Sequence, residues 1–236
     1  MERQGWITVL VSFEREIERF SALLKRVRHD RIQGKKALQG SLYGRDVMVL
    51  FLGSGRSLPP EPHVRDAELV ISTGICGGLV PSLRCGDIVV AEKVFFLDAQ
   101  ERSSVLEGAG AMSLQSLEVP ESGCAFDLLS NKRGSVPFQA VSGRTVTVEK
   151  PLLLAAEKRK VGEKTGGISV DMEDFFRLEA ARRLGAHFLS IRAVYDEASL
   201  DIRPEEGHLD ATRLMLSSES IAGALSLVIE ADLNFA

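Results

Sequence analysis

The sequence is poor in the residues that staple small extracellular proteins or build metal centres. Its three cysteines, Cys76, Cys85 and Cys124, form no CxxC pair and leave an odd count. A disulfide framework is therefore disfavoured, and a reduced, cytoplasmic setting is expected. The four histidines, His29, His63, His187 and His208, lack metal-ligand spacing, so no metal is expected. No apolar run approaches the ~20 residues that span a bilayer, and no membrane partner is expected. The apolar stretch 6–13 runs straight into Glu14-Arg15-Glu16 with no small-residue cleavage site, which fits a first core strand better than a signal peptide. Excess positive charge is missing as well. A formal net charge of -4 offers no basic surface to a nucleic acid. The one basic cluster, Lys25, Arg26, Arg28, Arg31, Lys35 and Lys36, reads as a solvated helix end and loop.

What is present is ordinary globular material: 236 residues, 44% hydrophobic and 26% charged, ample for a buried core. With no internal repeat and no low-complexity linker, a single domain over 1–236 is expected. The β-branched and aromatic run 6–11 predicts a buried strand, and the spacing of Ile17, Phe20, Leu23, Leu24 and Val27 predicts a helix over 14–27. Strands are expected at 38–43 and 46–52 around Gly44-Arg45, then an irregular Pro- and Gly-rich loop at 53–62. Further strands are expected at 69–73, 87–96, 136–148, 168–172 and 187–194. Helices are expected around 124–129, at 150–161 with Pro151 in the first turn, at 173–184 and at 210–233. The stretch 98–134 is otherwise illegible. Strands alternating with helices predict an α/β fold with a central, mostly parallel sheet covered on both faces, its ligands at strand-to-loop junctions.

Three such junctions carry chemistry. In Val70-Ile-Ser-Thr-Gly-Ile-Cys-Gly-Gly-Leu79, glycines let backbone approach a ligand closely; a glycine loop alone is more often just a turn. In Ser169-Val-Asp-Met-Glu-Asp174, the helix dipole accounts for Glu173 and Asp174. It accounts poorly for an acid that ends a buried strand, and a carboxylate there can accept hydrogen bonds from two adjacent ribose hydroxyls. In Ser190-Ile-Arg-Ala-Val-Tyr-Asp-Glu-Ala198, Arg192 lies in an apolar strand and needs a partner. Its plain reading is a structural ion pair with one of these acids.

Together the stretches TGICGGL…GDIVVAE, VDMED and IRAVYDEA, in this order and spacing, resemble the nucleoside phosphorylase and nucleosidase superfamily. The resemblance is strongest to 5′-methylthioadenosine/S-adenosylhomocysteine nucleosidases, with futalosine hydrolases and hopanoid-associated nucleosidases as related branches. It runs from WITVLVSFEREIE to the terminal helix, and the combination is specific where no single piece is. It implies a three-layer α/β sandwich whose central mixed, mostly parallel twisted sheet is flanked by helices. It also implies an adenosine-type purine nucleoside substrate modified at the 5′ position, no cofactor and a homodimer. By the same resemblance Asp196 donates a proton to the purine imidazole nitrogen, Glu173 holds the ribose hydroxyls and Met172 packs beneath the ribose. Glu16 activates the attacking water and Arg192 helps fix it. Ile75, Cys76 and Gly77 of the glycine run, with Val146 and Tyr195, stand where the family contacts its substrate.

The chemistry makes sense on its own terms, because a glycosidic bond breaks toward a positive sugar. Carboxylates are wanted around the sugar and a proton donor at the base. Water is the expected acceptor. Ser72 and Ile75 occupy the places where phosphorylases of the superfamily carry an arginine and a hydroxyl, and no Gly-Asp-Pro-x-Arg segment follows the first strand. Arg56 could still reach an anion, so phosphorolysis stays open, as does a non-catalytic nucleoside binder. Four departures from the family pattern bear on the choice. Tyr195 replaces a small residue, Val146 falls where an aromatic stacks on the base, Asp171 replaces a glutamate, and Pro59–Pro62 displaces a helix.

Overall fold

The computed structural model describes residues 5–108, 114–132, 136–202, 209–231 and 233. Strand β1 (Trp6–Val11) forms as its composition predicts. The helix expected over 14–27 is much shorter: a 3-10 turn at Glu14–Ile17 and helix α1 (Glu18–Ser21). Ile17, Phe20 and Leu24 still enter the core. Beyond them the chain becomes β2 (Lys25–Ile32), exposed along almost its whole length and paired with β3 (Lys35–Leu42). The basic cluster is thus an edge hairpin, not a helix end and loop. Charge suits that place, because it discourages pairing with another chain. Positive φ at Tyr43 (50°) and Gly44 (82°) makes the tight turn into β4 (Arg45–Phe51), the backbone pattern that matches strand twist. The Pro-rich loop ends in a short helix, α2 (Glu61–Arg65), with Pro62 in its first turn, where the missing N–H costs nothing.

Strand β5 (Ala67–Gly78) is more than twice the expected length, because the glycine run stays in the sheet instead of leaving it. After β6 (Ile88–Leu97) come α3 (Ala99–Glu107) and β7 (Gln115–Glu118), both in the illegible stretch. Of α3 only Val105 is buried, so it has no apolar stripe to read; Asp98 starts it by accepting from the Glu101 amide at 2.8 Å. Then follow α4 (Ser122–Ser130), β8 (Ala140–Val148), α5 (Ala155–Thr165), β9 (Ser169–Asp171), α6 (Asp174–Arg183), β10 (Phe188–Asp196) and α7 (Ala211–Glu230). Pro151 lies before α5, not in its first turn. The expected end of α7 at 233 includes Asp232, outside the described residues.

Among the described residues, the ten strands form one sheet, with β7 paired to β6 off the main path. Five pairings are parallel and five antiparallel, so the sheet is more evenly mixed than the mostly parallel one expected. It also closes on itself: β10 joins both β6 and β5, while β8 and β9 complete the circuit back to β5. Strands β1, β5 and β10 run parallel, so their C-terminal ends open on one side. Alternation along β1 sends Ile7, Val9 and Val11 into the core shared with α7, and Leu10 into the core shared with α6. Burying one such side chain contributes about 1.5–3 kcal/mol, and burial on both faces fixes the strand ends. Helix α7 is long and apolar enough to cross a bilayer by composition alone, contrary to the expectation that no such run exists. It is, however, mostly buried, with Ile221, Leu225 and Val228 in the core beneath the sheet.

Candidate active site

A cleft of about 540 Å³ opens at the ends of β1, β5 and β10 and the start of α6. Its walls bring together Glu16, Ile75, Cys76, Gly77, Met172, Glu173, Tyr195 and Asp196. Eight of the ten residues expected at the site therefore share one wall system.

Glu16 reaches the cleft because the 3-10 turn follows β1 directly. Its Oε2 accepts from the Phe13 amide at 3.0 Å and the residue is buried. Burial pushes its carboxyl up, against the opposing influence of that hydrogen bond and of Arg192. Gly74, at φ +138°, makes room for it: a Cβ there would lie 3.1 Å from Glu16 Oε2 and 3.4 Å from Arg192 Nη1.

Glu173 sits at the N-terminus of α6, where its Oε1 accepts from the Gly55 amide at 3.2 Å and its Oε2 lies 3.2 Å from Arg192 Nη2. The Gly53–Gly55 bend is thus clasped to the carboxylate expected to hold the sugar.

Arg192 does not line the cleft. It stands behind the carboxylates, its Nε and Nη2 donating to the two oxygens of Asp174 at 2.9 and 2.7 Å and its Nη1 to the Ile75 carbonyl at 3.1 Å. Its Nε also lies 3.0 Å from Asp171 Oδ2. The ion pair that its place in an apolar strand demanded is there, and with several acids at once. Burial and the Asp174 charge push the Asp171 carboxyl well up. Burial also disfavours ionised Asp174, but Arg192 outweighs it and holds that carboxyl well below the usual range. A second buried arginine, Arg177, donates to the Leu10 carbonyl at 3.2 Å and to the Ser72 and Ser12 hydroxyls at 3.1 Å.

Asp196 owes its aim to a bulge. The register between β10 and β5 slips between Val194 and Asp196, so the neighbours Tyr195 and Asp196 both reach the cleft. Gly77 lies directly under the carboxylate; a Cβ there would meet Asp196 Oδ2 at 3.1 Å and Val170 Cγ1 at 3.0 Å. Burial raises the Asp196 carboxyl and the Lys158 ammonium opposes the rise. Lys158 is fully buried, with Nζ on Asp196 Oδ2. The Tyr195 hydroxyl accepts from the Asp210 amide at 2.5 Å. Its ring therefore forms cleft wall while its oxygen anchors the start of α7.

Val146 does not line the cleft, contrary to expectation. It is fully buried among Leu79, Val161 and Val170, behind the cleft wall and not on it. The turn at Gly166-Gly167 lies on top of it, close enough that a Cβ at Gly167 would sit 2.6 Å from Val146 Cγ2. Val148, two residues further along the same strand face, reaches the cleft instead. Arg56 is also committed elsewhere: it pairs with Glu149 at 2.8 Å and stacks over Phe96 and Phe176. Sequence reading missed Lys158 and Arg177. The one signal for Lys158 is its helical spacing from Val161 and Thr165, the other buried residues of α5. Among the described residues, no group of three His, Cys, Asp or Glu side chains is arranged to hold a metal ion.

The profile of the phosphorylase superfamily matches residues 7–229. A 5′-methylthioadenosine/S-adenosylhomocysteine nucleosidase of Shewanella sp. (strain MR-7) is 34% identical over 95 residues. That match covers 37% of this chain and only 39% of the relative's length. The fold is similar to that of an S-adenosylhomocysteine nucleosidase from Streptococcus pyogenes in complex with 5-methylthiotubericidin (TM-score 0.76, 18% identity, 98% of this chain and 99% of that one). It is similar as well to futalosine hydrolase of Helicobacter pylori strain 26695 (TM-score 0.74, 18% identity, 96% and 98%).

Proposed function

The chain belongs to the phosphorylase superfamily, and on that premise we propose that it hydrolyses the N-glycosidic bond of a purine nucleoside. One observation carries the reading: Glu16, Glu173 and Asp196, from three distant stretches of sequence, line a single cleft. In the reaction the C–N bond breaks and its electron pair leaves with the base. Asp196 gives its proton to the departing base, which makes a neutral leaving group; such help is worth roughly 10²–10⁴-fold. Glu173 accepts hydrogen bonds from the ribose hydroxyls and offsets the positive charge growing on the sugar. Water forms the new C–O bond as Glu16 takes its proton. Arg192 acts from behind, holding Glu173 and the Ile75 carbonyl in place, so its expected direct role on the water becomes an indirect one.

Water is favoured over phosphate because a dianion site needs several cations, and among the described residues Arg213 is the one arginine or lysine on the cleft wall, the other arginines nearby being engaged by protein acceptors. Arg192 is occupied by carboxylates, Arg177 by Leu10, Ser12 and Ser72, and Arg56 by Glu149. The substrate class is supported by similar proteins named as nucleosidases of 5′-methylthioadenosine and S-adenosylhomocysteine and as a futalosine hydrolase. The protein is incubated with methylthioadenosine, adenosylhomocysteine, inosine and futalosine, with and without phosphate. Free base with free ribose sugar, independent of phosphate, is expected. Ribose 1-phosphate would make the protein a phosphorylase, and tight binding without base release a nucleoside-binding protein.

A further inference from the structure

Lys158 is wholly buried on the inner side of α5. Its ammonium contacts Asp196 Oδ2, the Leu200 carbonyl at 2.9 Å and the Glu197 carbonyl at 3.2 Å. Three donors meet three acceptors, so the group is fully satisfied despite its burial. The carbonyls alone would explain a structural tie between α5 and the loop after β10. They do not explain why the charge falls on the one carboxylate that the proposed reaction needs as an acid. Other ionisable groups facing Asp196 are Arg213 from α7, Cys76 from β5 and Tyr195 from β10. Among the described residues, Lys158 is the cation paired with it.

Proton donation breaks the Asp196 O–H bond and forms an N–H bond on the base, leaving the electron pair on Asp196. The resulting carboxylate is nearly sealed from water, where an uncompensated charge is very costly. We propose that Lys158 is a positioning residue for this reaction: it clamps Oδ2 of Asp196, leaves Oδ1 to serve the base, and stabilises the carboxylate formed when the proton departs. The inference rests on the nucleosidase reading for its chemistry, but the clamp itself can be tested without substrate.

Two measurements compare wild type, Lys158→Met and Lys158→Arg. The first is base release from the best nucleoside of the panel above, as a function of pH. With Lys158→Met, kcat is expected to fall about tenfold or more while KM stays within about threefold, because the acid is weakened and binding is not. The pH above which kcat/KM declines is expected to rise by roughly one unit or more, since Asp196 holds its proton longer without the neighbouring cation. Lys158→Arg is expected to restore most of that shift. The second measurement titrates ligand-free protein labelled with carbon-13 at aspartate carboxyls, the Asp196 signal being the one missing from Asp196→Asn. It is expected to titrate at higher pH in Lys158→Met than in wild type. An unchanged Asp196 titration overturns the proposal even if wild type hydrolyses nucleosides. A shifted titration in a protein that releases no base upholds the clamp and removes the nucleosidase reading instead. If Lys158→Met does not fold, Lys158→Met/Asp196→Asn decides. Recovery of a cooperative thermal transition shows that the two charges answer each other; no recovery makes Lys158 a tie to Glu197 and Leu200 only, and the proposal falls.

Discussion

Arg192 and Asp174 face each other as a two-pronged pair, Nε and Nη2 of the guanidinium each on its own carboxylate oxygen at 2.9 and 2.7 Å. Ser72, at 2.6 Å, and Ser190 also donate to that carboxylate, so four hydrogen bonds converge on Asp174 from β5 and β10. The pair lies just behind the cleft and sets what stands in front of it. Arg192 has one prong left over for Glu173 and another for the Ile75 carbonyl. One acid thus keeps the arginine in place, and the arginine keeps another acid aimed at the cleft.

Asp174→Asn removes the main counter-charge of a buried arginine and presents an amide N–H₂ to donors. It is expected to cost about 3–5 kcal/mol of stability, read as a lower urea midpoint at neutral pH. The pH dependence has a definite sign. Despite its burial, Asp174 is held well below the usual carboxylate range by Arg192. Its contribution is therefore complete above its unfolded pKa of about 3.9 and is lost only as pH falls through the lower folded value. Wild type should outlast the variant at pH 4 as clearly as at pH 7. Equal midpoints at both pH values would show that the pair holds nothing together.

Glu16→Gln is expected to separate stability from turnover. Burial raises the Glu16 carboxyl, so the folded state holds that proton more tightly than the unfolded chain does. Its favourable contribution is complete below the unfolded value of about 4.3 and disappears as pH rises through the folded one. At pH 8 the ionised group is a burden that glutamine relieves, while the Phe13 amide keeps an acceptor. Thermal unfolding at pH 8 should therefore give a Tm no lower than wild type. Base release should fall at least about a hundredfold with nucleoside binding retained. Normal turnover would move water activation to another group.

The parts legible in the sequence were those where type and place coincide. Asp196 ends a strand and Glu173 follows one by two residues, both strands announced by β-branched neighbours, and Glu16 follows the first strand within a few residues. Lys158 was hidden because Ala-Ala-Glu-Lys-Arg-Lys-Val-Gly-Glu-Lys-Thr reads as a solvated charged helix, and only the completed fold turns one of its lysines inward. Arg177 was hidden for a different reason: α6 is buried nearly all round, so its spacing marks no polar face. Val146 was misread because its burial depends on the Gly166-Gly167 turn, about twenty residues away in sequence. The hairpin from β2 to β3 was misread because Leu23 and Val27 continue a helical spacing that the core never uses; both are exposed. Local pattern could not report which apolar residues would find partners.

Asp196→Asn keeps the shape of the cleft and removes the proton. Turnover is expected to drop at least about a hundredfold, with the far-ultraviolet circular dichroism unchanged. In wild type kcat/KM should decline as pH rises through the pKa of Asp196, which burial lifts above its ordinary value while Lys158 opposes the lift. The decline should be missing from the variant, because nothing is left there to titrate. Near-normal activity in Asp196→Asn would take the proton donor's role away from this residue.

Gly77→Ala tests whether the site needs that carboxylate in one place or merely nearby. The backbone at Gly77 has an ordinary φ, so alanine brings no conformational strain of its own. What it brings is a methyl group 3.0 Å from Val170 Cγ1 and 3.1 and 3.3 Å from the two oxygens of Asp196. Val170 is a packed β-branched residue with little freedom to turn, so the carboxylate is the neighbour that gives way. A displacement of a few tenths of an ångström pulls Asp196 off the line to the base and costs little in packing. The expected result is about a tenfold or greater loss in kcat, with a stability loss of no more than about 1 kcal/mol. Loss of both in equal measure would mean that Gly77 serves the sheet, and unimpaired kcat that the acid tolerates being moved.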